Sequence, residues 1–120
     1  MIMKYFTEEE FNNCNPACSM SDMNPDFLII LDKIREDAGI PLTLNCAYRS
    51  VEHDKKKGRS GKSAHTKGKA VDIRCSTSAT AYKIVNAALH NNIKRIGIGN
   101  GFVHIDNDDS LPQEVIWNYY

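Results

Sequence analysis

Apolar positions change period several times along this chain, and each change predicts an element. Phe27, Leu28, Ile30, Leu31, Ile34 and Ala38 recur at helical spacing. Asn24-Pro25 supplies a cap and a proline at the first helical position, and Gly39 supplies the stop. Pro41 to Cys46 then reads as a strand with Leu42, Leu44 and Cys46 on one face. Ala70 to Arg74 alternates, with Val71 and Ile73 facing a core and Asp72 facing away. Ser76 to Asn91 returns to helical spacing, with Ala79, Tyr82, Val85, Ala88 and Leu89 as its expected apolar side and Ser76, Thr77 or Ser78 as its cap. Ile96 to Asp106 reads as two short strands around Asn100-Gly101, a hairpin pair in which both residues tolerate positive φ. On the second strand Val103 and Ile105 share one face, and Phe102, His104 and Asp106 share the other.

The ends are less periodic. Thr7 to Phe11 reads as a short helix with Thr7 as N-cap and Glu10 as its capping-box partner. Asn12 to Asp22 carries Pro16 and reads as loop. A short polar helix after Ser50 carries His53, expected to be exposed, and His90 at the end of the later helix reads as structural, where a cation is favoured. In the tail from Leu111 to Tyr120, Val115, Ile116 and Trp117 read as a closing strand or a cover for the core, with an aromatic lining of a groove as the alternative. No repeat or linker interrupts the chain, so one domain over 1–120 is expected. The fold class is α+β, a small antiparallel sheet with helices packed on one face.

A chain of 120 residues suffices for one compact core. Net charge is +0 with a pI near 6.9, which removes any global pull towards nucleic acid or membrane. The longest apolar run, Phe27 to Leu31, is far too short to span a bilayer, and the first ten residues lack an apolar leader core. Synthesis in the cytoplasm is therefore expected. Lys55, Lys56, Lys57, Arg59, Lys62, Lys67 and Lys69 form a basic run without an acidic residue, read as a solvated loop that can attract carboxylates. It has no interleaved aromatics of the kind that stack on bases. Cys14, Cys18, Cys46 and Cys75 are expected to be free, small buried side chains; a structural zinc site built from them lacks the usual C-x-x-C knuckle.

The chemistry concentrates on the polar faces of two strands. His65 and Asp72, seven positions apart with Gly68 turning the chain between them, are both good ligands for a borderline cation such as zinc. His104 supplies a third. Two histidines and one carboxylate leave a position open for water, the layout of a catalytic metal site rather than a closed structural one.

Ser-x-His-x-x-Gly-x-Ala-x-Asp, here Ser63 to Asp72, with Phe-Val-His-Ile-Asp, here Phe102 to Asp106, and Tyr48-Arg49-Ser50 upstream, resembles the zinc D-alanyl-D-alanine carboxypeptidases and peptidoglycan endopeptidases, phage and prophage lysins among them. The resemblance extends from about Tyr5 to the Trp117 region. It implies the Hedgehog/DD-peptidase fold, one catalytic Zn2+ held by His65, Asp72 and His104, and hydrolysis of peptidoglycan stem peptides or cross-links by a monomer that reaches the wall after release or delivery. Arg49 would hold the substrate's carboxylate or carbonyl as a fixed, always charged fork, with Tyr48 and Ser63 beside it. Ser63 has no partner arranged to make it a nucleophile, so it is expected to brace the turn.

The sequence departs from the family before His104. Some members have Glu-x-x-His, but Gly101 stands there; others have His-x-His, but Phe102 stands there. The expected general base is instead Asp106, roughly 7 Å along the strand from His104 on the same face. The competing role for Asp106 is to orient His104. Asp108 and Asp109 lie beyond the strand, in an expected polar turn. A wall-peptide binder without turnover, or a nucleic-acid binder using Lys55 to Lys69, are the alternative functions.

Overall fold

A computed structural model describes residues 3–119, and its centre is a five-stranded sheet. In chain order the strands are β1 (Leu44–Cys46), β2 (Ala70–Arg74), β3 (Arg95–Ile98), β4 (Phe102–Asp106) and β5 (Val115–Asn118). They lie side by side as β1-β2-β4-β3-β5. The first four pair antiparallel, as the alternating pattern predicts, and the tail adds β5 parallel to β3. Met1, Ile2 and Tyr120, which belong to the segments read for a leader and for the tail, lie outside the described residues.

The helices are α1 (Glu8–Asn12), α2 (Pro25–Ala38), α3 (Val51–Lys56) and α4 (Ser78–His90). Thr7 N–H donates to Glu10 Oε2 at 2.8 Å, which holds the start of α1. The Asn24 side chain accepts from Phe27 N–H at 3.1 Å, and Gly39 ends α2 at φ +69°. Phe27, Leu28, Leu31 and Ile34 of α2 are buried with Val71, Ile73, Ile96, Val103 and Ile105 of the sheet. Ile84, Ala87 and Ala88 of α4 join the same core. The two long helices and the core thus occupy one face, leaving the other for chemistry.

Three local expectations change. The stripe on α4 is Ala81, Ile84, Val85 and Ala88, whereas Tyr82 (72% exposed) and Leu89 (52%) face away. A rotation of the helix towards the small residues lets it pack closely against α2 and β4. The strand after Pro41 begins only at Leu44, and its register against β2 shifts between Leu44 and Cys46. In the hairpin between β3 and β4 only Gly101 has positive φ, at +85°. Among the described residues, no helix is long and apolar enough to cross a membrane.

One glycine carries both a turn and a close approach. Gly68 ends the 3-10 turn Ala64–Lys67 at φ +69°, and its carbonyl accepts from Asn24 N–H at 2.9 Å. A Cβ here would lie 2.6 Å from the Asp22 carbonyl oxygen and 2.8 Å from Asn24 N. Left-handed backbone and steric exclusion act together, so Gly68→Ala is expected to destabilise the protein by at least about 2 kcal/mol. Urea unfolding of the two proteins reads this directly; equal midpoints would contradict it.

Candidate metal centre

Strand register builds the site. One row of neighbouring Cα positions crosses all five strands: Cys46 beside Asp72, Asp72 beside His104, His104 beside Gly97, and Gly97 beside Trp117. The adjacent row sets Ala70 beside Asp106, Asp106 beside Arg95, and Arg95 beside Val115. Directly paired residues share a face, so this register gathers Asp72, His104, Asp106 and Arg95 on the side away from the core. His65 arrives from the 3-10 turn Ala64–Lys67, which Arg49 N–H grips through the His65 carbonyl at 3.2 Å.

His65 Nε2 lies 3.3 Å from Asp72 Oδ1, and His104 Nδ1 lies 3.0 Å from the same oxygen. The two rings are 5.1 Å apart. The outer ring nitrogens are also engaged: His65 Nδ1 is 2.6 Å from the Ala47 carbonyl, and His104 Nε2 is 2.6 Å from Asp106 Oδ2. An outer N–H donated to a carbonyl or carboxylate fixes the tautomer and turns the inner nitrogen towards a ligand. Two such nitrogens converging on one carboxylate oxygen form a donor set that suits a divalent cation. Burial pushes both imidazoles down, but for His65 the hydrogen bonds to Asp72 and Cys46 outweigh it, and for His104 those to Asp106 and Asp72; both stand above the ordinary histidine value. Asp72 is pushed up by burial, and the His104 and His65 hydrogen bonds more than offset this, holding it well below the usual carboxylate range. A cation bound there would displace these protons.

The structure sets both expected histidines against Asp72 and places Cys46 beside His65 and Asp72. One donor atom each from Cys46, His65 and Asp72 lies within 4.8 Å of the others. Asp106 lies on the expected face, enclosed by its partners. It is 0% exposed. Its Oδ2 receives His104, and its Oδ1 receives Arg95 Nε at 2.8 Å and Asp108 N–H at 3.1 Å. A carboxylate closed in by three donors positions the imidazole it touches.

Arg49 is buried, its Nε 3.3 Å from Asp54 Oδ1 without hydrogen-bond alignment. Asp54 also accepts from Ser63 Oγ at 3.0 Å and Gly61 N–H at 3.1 Å, so Ser63 braces the turn as expected. Tyr48 packs against the core and lines neither cavity over the site. His53 is half-buried rather than exposed. One cavity of about 250 Å3 opens over His65 and His104 and is walled by Phe102, Trp117 and Tyr119. A second, of about 730 Å3, lies at the β1 edge among Asn45, His53, Lys57 and Arg74. Arg49, Arg59 and Asp72 line both. Gly97 admits the aromatic wall, since a Cβ there would lie 2.7 Å from Trp117 Nε1.

A sequence model of the family described as Peptidase M15 matches residues 4–106. The chain belongs to the Peptidase M15 family. Its peptidase fold is similar to the crystal structure of the Serratia marcescens L-Ala D-Glu endopeptidase ChiX, at a TM-score of 0.55 and 16% identity, covering 88% of this chain and 90% of that one. No curated protein matches the sequence. Metal dependence goes with membership of Peptidase M15, and Cys46, His65 and Asp72 offer donor atoms close enough together to hold an ion.

Residues that sequence reasoning missed hold this M15 site together. Asp108 is buried rather than lying in an open turn, and accepts from Lys67 Nζ at 2.7 Å and from Ser110 Oγ at 2.7 Å. This ties the His65 turn to the segment after β4. Burial raises the Asp108 pKa, but Lys67 and Ser110 outweigh it and hold it below the usual value. A depressed carboxyl contributes stability that is present above its unfolded pKa, about 3.9, and is lost as pH falls through the lower folded value. Stability of the wild type is therefore expected to fall below about pH 4 more steeply than that of Asp108→Asn, which should already be about 1–3 kcal/mol less stable at pH 7. Parallel acid unfolding curves would refute this role.

Proposed function

We propose that this chain is a zinc endopeptidase that hydrolyses peptide bonds in peptidoglycan stem peptides or cross-links. The observation that carries this reading is the convergence of His65 Nε2 and His104 Nδ1 on Asp72 Oδ1, with both outer nitrogens already held. Membership of Peptidase M15 supports the reaction class, and the similarity in fold to an L-Ala D-Glu endopeptidase supports a wall peptide as substrate. Cavities on both sides of Asp72 favour cleavage within a peptide over removal of a terminal residue, because chain can extend in both directions. The D-Ala-D-Ala carboxypeptidase reading requires only one of them.

His65, Asp72 and His104 would hold the ion. Zinc bound there supplies Lewis acidity at the scissile carbonyl and lowers the pKa of water. Arg49 sits where the two cavities meet, and offers its guanidinium to a substrate carboxylate or to the charge that develops on the carbonyl oxygen. Arg59, Lys57 and Arg74 make the larger cavity attractive to an acidic peptide. Trp117 and Tyr119 wall the other side. Asp106 orients His104 and is itself held by Arg95.

Purified protein is expected to carry about one zinc per chain, lost in His65→Ala and His104→Ala, and to release wall fragments identifiable by mass spectrometry. Fragments shortened only by a terminal D-Ala would favour the carboxypeptidase; intact wall with zinc bound would favour a binding protein. Arg49→Ala should keep its zinc and lose about 10²-fold or more in kcat/KM, with Arg49→Lys recovering only part. Asp106→Asn separates positioning from base catalysis. A positioning residue predicts zinc affinity lower by about 10–100-fold, with much of the turnover restored by excess zinc. Intact affinity with turnover reduced by about 10²-fold at every zinc concentration would restore Asp106 as the base.

A further inference from the structure

Cys46 is the one member of the cross-strand row for which the reaction above has no use. It stands beside Asp72 in register and is 6% exposed. Its Sγ is 3.8 Å from His65 Nδ1, and Arg49 Nη1 donates towards it at 3.8 Å. Its sulfur, a His65 nitrogen and an Asp72 oxygen all lie within 4.8 Å of one another. Ligands at 2.0–2.3 Å from a tetrahedral ion sit roughly 3.3–3.7 Å apart, so these three donors need to close by at most about 1 Å to share one ion, and His104 Nδ1 reaches Asp72 Oδ1 at 3.0 Å. Thiolate is also the softest donor in the group and suits zinc well.

We propose that Cys46 is a fourth protein ligand at this centre. In the resting, metal-loaded protein its thiolate takes the position that water must occupy for hydrolysis. On closing, the thiol gives its proton to solvent, the sulfur–metal bond forms and a water leaves; no electron is transferred. The reverse exchange opens the site. The Arg49 guanidinium then faces a negative sulfur, so the residue that lines both substrate cavities also touches the ligand that must depart. A site of this kind holds its ion more tightly than the three-ligand set and is latent until sulfur and water exchange. The inference rests on the metal-peptidase reading, but it has its own observable.

Cobalt(II) replaces zinc and reports thiolate ligation through a sulfur-to-metal charge-transfer band in the near ultraviolet. The full chain loaded with cobalt is expected to show that band, and Cys46→Ser to lack it while still binding cobalt. A Cys14→Ser/Cys18→Ser/Cys75→Ser protein should keep the band. Because this triple variant leaves Cys46 in place, it decides the matter even if Cys46→Ser does not fold. Zinc affinity measured by chelator competition should fall at least about tenfold in Cys46→Ser. A wild-type cobalt spectrum without the band, a band lost in the triple variant, or equal zinc affinities would overturn the assignment while leaving the three-ligand site intact. Failure of the wild type to take up either metal would overturn the peptidase reading and this inference with it.

Discussion

The shared Asp72 oxygen is the constraint on which the rest of the site depends. A largely buried carboxylate is costly unless opposite charge and hydrogen bonds surround it. Here two imidazoles from different parts of the chain meet it, one on the neighbouring strand and one on a 3-10 turn. Neither histidine can be placed by local sequence alone. The β2–β4 register sets His104 opposite Asp72, and the Gly68 turn, locked under Asp22 to Asn24, returns His65 to the same point. The apolar faces of β2 and β4 therefore act on the chemistry through register: a slip of one residue would turn His104 into the apolar core and Val103 or Ile105 towards the site.

From Asp72 the charges alternate outward. His65 and His104 flank it, Asp106 follows His104, and Arg95 follows Asp106. The backbone of Asp108 also reaches Asp106, and its carboxylate returns to Lys67, two residues from His65. The path returns to the turn that carries His65, so ion pairs and one backbone hydrogen bond connect the strands of the site to that turn. Removing one member leaves its neighbours facing like charge or none, which is why single substitutions in such a network cost more than the bond they delete. Arg49 and Asp54 form a separate branch that braces the approach to the site.

Much of this was legible in the residues. Period-2 alternation in Ala70 to Arg74 and Phe102 to Asp106 placed Asp72 and His104 on the face away from the core, because burying valine and isoleucine leaves no other choice. The Asn100-Gly101 turn also fixes the pairing of the strands on either side of it. A two-residue hairpin closed by Gly99 N–H on the Phe102 carbonyl pairs Gly97 with His104 and Arg95 with Asp106, so Arg95 was readable as Asp106's neighbour. Asp54 was not readable: it sits in a lysine-rich helix whose pattern resembles a solvated face, and only tertiary folding buries it. Asp108 was hidden for a similar reason, since its partner Lys67 is 41 residues away. Tyr48 matches a motif by position, yet its ring is used by the core.

The parallel fifth strand shows how the charge network reaches the substrate wall. β4 ends beside Arg95, at the start of β3, and β5 begins beside the same residue. The chain between them has only to step around Arg95, so a short connection suffices where parallel neighbours usually need a long crossover. Arg95 holds that step: Nη1 donates to the Pro112 carbonyl at 2.7 Å while Nε donates to Asp106. Its guanidinium also lies 4.9 Å from the Trp117 ring, which in turn lies 5.5 Å from the His104 ring. One cation thus neutralises the carboxylate that orients His104, anchors the loop that brings β5 back, and supports the indole that walls the cavity. Metal ligation and cavity shape are coupled through Arg95, and neither can be altered there without the other.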